Sequence, residues 1–187
     1  MQTLGVSNST PDSDNRLKSL FWPSVNTASD VDYLGAQGYW VCAIVAVFSL
    51  IVCVLNNQWI AGVVTFLFYF LGGVGVRERS RYAATVVLIM FTSDTLLTGI
   101  GVLRILLAAL LLSNMRAIWI ASRWKPDSAE AVVPPRFSDT WSDKFADQLP
   151  QFLWPKIRIL YYIFSIGFFA LVAVGFAVLF KRGALHL

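Results

Sequence analysis

The stretch Ser93–Leu107, SDTLLTGIGVLRILL, decides the fold. It lies inside an apolar run that begins at Tyr82 and ends near Trp124, and an aspartate, an arginine and two glycines interrupt it. As one helix, Tyr82–Arg123 would be about 63 Å long at ~1.5 Å per residue. The hydrocarbon core of a bilayer is only ~30 Å thick, and tilt does not absorb a twofold excess. Two helices joined by a turn at Thr98–Gly101 fit better, because glycine reaches the positive φ that a tight turn demands.

Charge gives the same answer independently. With a hairpin at Thr98–Gly101, eleven of the 15 basic residues fall on one side of the membrane and only Lys181 and Arg182 on the other. With a single helix the split is seven against six. Basic loops stay cytosolic, so the hairpin is preferred. The expected fold is an all-α integral membrane protein with five transmembrane helices (four in the single-helix alternative). Its amino terminus is cytosolic and its carboxyl terminus outside.

Composition supports the membrane class. The chain has 187 residues, 57% of them hydrophobic and 14% charged, with a mean hydropathy of +0.63. A soluble domain of this size has no core large enough for that apolar surface. The net charge of +4 is read as cytosolic loops rather than nucleic-acid binding.

Along the chain, residues 1–33 are polar and read as a flexible tail, so the first span is expected to act as the targeting signal. Residues 34–124 hold helices 1–4 in two hairpins, the first of them turning at Asn56–Gln58. Residues 125–156 form a cytosolic loop punctuated by proline. Within it Trp141, Phe145 and Leu149 recur every four residues, and Asp139, Asp143 and Asp147 do the same on the opposite face. That pattern predicts an amphipathic helix over 138–149, capped by Ser138 and lying on the membrane surface with its aspartates solvated. Residues 157–187 supply the fifth span and a short tail.

Four groups of residues are candidates for a role. Asp94 and Arg104, each five residues from Gly99, face each other across the second hairpin as an intramembrane ion pair. The bland reading is a structural lock, and the sharper one is an ion or proton path. A stripe of small residues, Gly35, Gly38, Cys42, Ala46, Ser49 and Cys53, forms one face of the first span. Small faces let helices approach closely in lipid, here either this chain's own helices or a partner protein or second copy. Arg77, Arg79, Arg81, Arg123, Lys125, Lys156 and Arg158 are candidate contacts for anionic lipid headgroups. Cys42 and Cys53 lie about 16 Å apart along one helix, too far for a disulfide.

Enzyme signatures are not found. The spans hold one aspartate and no histidine, whereas an intramembrane hydrolase needs a serine with a base, or paired aspartates. GGVG at Gly72–Gly75 is too short and too deep for a phosphate loop. The segment Leu110–Trp124, LLLSNMRAIWIASRW, resembles small bacterial multi-pass membrane proteins in composition, without a motif that transfers a role to any residue. From these readings the expectation is a non-catalytic accessory, scaffold or assembly component of a bacterial inner or plasma membrane, without cofactor or metal. The alternatives are a small oligomeric transporter or channel using Asp94 and Arg104 and, behind it, a lipid-modifying enzyme.

Overall fold

The structure is a computed structural model that describes residues 21–124 and 140–181. Every regular element among them is helical. Four long helices follow one another through short turns: α1 (Ala28–Leu55), α2 (Trp59–Arg77), α3 (Arg81–Thr98) and α4 (Val102–Ala121). A single turn, Trp141–Asp143, and a π-helical turn, Lys144–Gln148, then run without a break into α5 (Leu149–Lys181). Four helical segments are long and apolar enough to cross a membrane: α1, α2, α4 and the segment that contains α5.

The opening stretch is a hairpin. α3 stops at Thr98, Gly99 takes φ 109°, and Gly101 caps α4. An L side chain at Gly99 would be strained, so the turn is placed where the sequence supplies the residue that tolerates it. The first hairpin turns at Asn56–Gln58, with Asn57 at φ 57°.

α1 begins earlier than composition predicts. Residues 28–33, assigned above to the tail, are its first turns. Thr27 and Asp30 form a capping box: the Asp30 N–H donates to Thr27 Oγ1, and Asp30 Oδ2 accepts from the Thr27 N–H at 3.0 Å. This pair satisfies otherwise orphaned N–H groups and carries Asp32 into the bundle.

α2 is the hub, packed against α1, α3 and α5. Its glycines set the spacing. A Cβ on Gly73 would lie 2.7 Å from Cys42 Cβ on α1, one on Gly72 would lie 2.5 Å from Val87 on α3, and one on Gly75 would lie 2.5 Å from Trp154 on α5. The GGVG run is therefore the point where three helices meet one backbone. Around it Tyr39, Phe68, Val87, Met90, Trp154 and Tyr161 form the core. α5 touches this core along its inner side only, and Ile159, Ile163, Ile166, Leu171 and Val174 are exposed.

The predicted separate surface helix over 138–149 is not what forms. Its first residues, including Ser138 and Asp139, lie outside the described residues, and the rest leads directly into α5. Neither Pro150 nor Pro155 ends the helix. Pro150 lies inside the continuous helix, and the carbonyls that its missing N–H leaves open are taken by donors from other helices. Phe145 packs against Tyr39, Trp40 and Phe70 rather than turning to a lipid surface, and exposed Trp141 stacks on it.

Candidate functional site

Two charged centres lie at opposite ends of the bundle. The first gathers the start of α1, the end of α2 and the π turn. Arg77 is 2% exposed, and its guanidinium uses all five N–H groups. Nη1 donates to Asp32 Oδ1 at 2.8 Å and to the Asp32 carbonyl at 3.0 Å. Nη2 donates to Asp32 Oδ2 at 2.9 Å and to Asp147 Oδ1 at 2.6 Å. Nε donates to the Ala146 carbonyl at 3.1 Å and shares Asp147 Oδ1 at 3.3 Å. Arg79 adds a bond to the Ala28 carbonyl and a second cation beside Asp32.

Local sequence explains the acceptors. Pro150 has no N–H, so it gives no helical donor to the carbonyl four or five residues back. Those carbonyls belong to Ala146 and Phe145. Arg77 takes the first, and the Tyr39 hydroxyl donates to the second at 3.2 Å. The π geometry and the proline thus expose backbone acceptors where α1 and α2 present donors.

This centre corrects two expectations. Arg77 is not a lipid-headgroup contact, because its charge is buried and fully bonded. Asp147 is not part of a solvated aspartate row, because the π turn rotates it toward Arg77; the side chain of Asp143 and the whole of Asp139 lie outside the description. Among the other basic residues, Arg81 lies over the Trp119 ring at 5.6 Å and Lys156 over Phe152 at 3.4 Å. Arg81, Arg123, Lys156 and Arg158 are exposed, and Lys125 lies outside the described residues. Arg116 donates to the Pro23 carbonyl at 3.0 Å and stacks on Trp22.

Most of the small-residue face of α1 packs against this chain's own helices, the first of the two readings the sequence left open. A Cβ on Gly38 would lie 2.8 Å from Asn114 of α4, whose side-chain amide donates to the Leu34 carbonyl at 2.6 Å. Gly35 faces Arg77, Cys42 meets Gly73, Ala46 is 0% exposed, and Cys53 faces Gly62. The seam is intramolecular because α2 and α4 supply complementary glycines and a carboxamide. That complementarity is invisible in α1 alone.

The second centre lies near the Gly99–Gly101 turn. A crevice of about 260 Å³ opens between α1, α2, α3, α4 and α5. Asp94, Thr98 and Arg104 line it, along with Ser49, Cys53, Thr65 and Tyr69. Its apolar wall includes Phe48, Met90 and Phe168. Arg104 Nη1 lies 3.7 Å from Asp94 Oδ2 and donates to the Thr98 hydroxyl instead. The two side chains are 38% and 55% exposed.

No protein-family model, curated protein or solved structure matches the chain. Among the described residues, no group of three or more His, Cys, Asp or Glu side chains converges on a point. Spacing about Gly99 points to Asp94 and Arg104 but not to the crevice around them. Its walls come from five helices, and no local pattern records that they leave a gap.

Proposed function

We propose that the chain crosses a membrane five times and works as a non-catalytic binding protein that receives a small amphipathic molecule in the crevice at Asp94 and Arg104. The observation that carries this reading is the crevice itself, which joins charged and polar side chains to an apolar wall. Binding sites for small molecules combine apolar walls with a few placed polar groups. The scaffold reading draws less support, because most of the small-residue face of α1 packs against α2 and α4.

Five crossings follow from the turns. α3 is the least apolar of the long helices, yet three-residue turns tie it to α2 and α4, so it runs back across whatever they cross. The Arg77 end then faces the cytosol by the positive-inside rule, and the crevice opens in the outer leaflet. Lipid headgroups at exposed Arg81, Arg123, Lys156 and Arg158 are compatible with this orientation.

Thiol accessibility tests both parts. With a small cationic methanethiosulfonate reagent added from outside, Cys53 and a Thr65→Cys substitution deeper in the crevice react, whereas buried Cys42 does not. Cysteines at Ser80 and Ser122 stay unlabelled until the membrane is opened. No reaction at Thr65→Cys in a folded protein would close the crevice and end the binding reading, and labelling of Ser122→Cys from outside would reverse the topology. A transporter using the same residues is the second reading, favoured by the same crevice. It requires flux in proteoliposomes that Asp94→Asn abolishes.

A further inference from the structure

We infer that the occupant of the crevice is a zwitterion, an ammonium and an anionic group a few bonds apart, attached to one short apolar tail. This inference rests on the binding reading above and names its ligand class.

The first argument is unfilled bonding capacity. Charge-assisted hydrogen bonds run at ~2.7–2.9 Å; the Asp94–Arg104 separation of 3.7 Å is too long for one. Arg104 has five N–H groups, and its bond to the Thr98 hydroxyl engages one nitrogen. Each partner therefore keeps most of its capacity at the edge of the crevice. An ammonium on Asp94 and an anion on Arg104 would fill both at once. A ligand with a single charge would fill one and repel the other.

Helix polarity gives the second argument. Acidic groups stabilise helix N-termini and basic groups C-termini. Asp94 sits one turn from the C-terminus of α3, and Arg104 in the first turn of α4. Both are at the unfavourable end, so helix stability does not account for either charge. The helix ends themselves suit the opposite charges: α3 ends in carbonyls that attract an ammonium, and α4 begins with N–H groups that attract an anion.

Size and shape give the third. A volume of about 260 Å³ equals roughly nine waters at ~30 Å³ each. That fits an amino-acid-sized molecule or a short length of acyl chain. One turn below Asp94 lies Met90, with Phe48 and Phe168 also on the wall, so the tail points away from the charged mouth. Two sources share this chemistry: a free apolar amino acid, and the headgroup and one upper chain segment of an ethanolamine lipid.

The test uses full-length protein in nanodiscs made only of phosphatidylglycerol and follows the rate of Cys53 labelling. Probes are leucine, dihexanoyl phosphatidylethanolamine, hexylamine, hexanoate and hexanol. One or both zwitterions should slow labelling by at least about tenfold at concentrations where the three single-function probes do not, the size of one charge-assisted bond. Asp94→Asn and Arg104→Gln should each abolish that difference while the fold, checked by thermal melting, is retained. Protection by leucine alone identifies the free amino acid, and protection by the lipid alone identifies the headgroup. Equal protection by all five probes would overturn the zwitterion and leave the binding reading standing. No protection by any probe, with Cys53 still reactive, would overturn both.

Discussion

Arg77 and Arg104 are both arginines that meet an aspartate from another helix, at opposite ends of one bundle. At Arg77 every N–H has an acceptor, the bonds run from 2.6 to 3.3 Å, and the side chain is sealed. At Arg104 the aspartate stands at 3.7 Å and both partners are open. The two centres share chemistry and differ in saturation. A filled charge network fixes geometry and has nothing left to offer a ligand, whereas an unfilled one beside a crevice holds capacity for a molecule not in the chain. Exposure and bond length, rather than residue type, separate the sealed ion pair from the open one.

The largest effect is expected from the closed centre. Arg77→Ala removes a buried cation from Asp32 and Asp147, leaving Asp32 with Arg79, and breaking a buried pair costs about 3–5 kcal/mol. Thermal denaturation in mild detergent should show that loss, and Arg77→Lys should recover only part of it, because an ammonium lacks the planar fork. A melting temperature unchanged in Arg77→Ala would erase the contrast between the two ends.

Next comes the proline. Pro150→Ala restores an N–H that competes for the Ala146 or Phe145 carbonyl. The substitution should lower stability by ~0.5–1.5 kcal/mol, the net worth of one hydrogen bond. In an Arg77→Ala, Tyr39→Phe background it should cost nothing more, since the competing donors are gone. Equal costs in both backgrounds would detach the proline from the network.

The smallest effect belongs to the open centre. A double-mutant cycle of Asp94→Asn and Arg104→Gln should give a coupling of only ~0.2–1 kcal/mol, the range of exposed pairs. A coupling of several kcal/mol would make this pair a structural lock like its counterpart and remove the reason to seek a ligand there.

The backbone architecture was legible where length and turn chemistry speak locally. The hairpin at Gly99 follows from a run twice too long to cross a bilayer and from glycine where positive φ is required. The Asp94–Arg104 juxtaposition follows from equal spacing on either side of that glycine. The closed centre was not legible. Nothing in RERSR distinguishes Arg77, which points inward, from Arg81, which points out, because its partners stand 45 and 70 residues away. Asp147 was misassigned because a period of four assumes an α-helix, and a π turn shifts every following side chain. The GGVG run was set aside as a poor phosphate loop, although its value lies in the three helices that approach it.

Asp147 also gives the bundle an order of construction. Chains emerge from their amino terminus, at ~5–20 residues per second, and Asp147 follows Arg77 by 70 residues. For several seconds the first hairpin holds Arg77 without the Ala146 carbonyl and the Asp147 carboxylate. The last helix brings the missing acceptors with its first turn. A chain cut before residue 146 therefore builds the first hairpin but not the sealed network around Arg77.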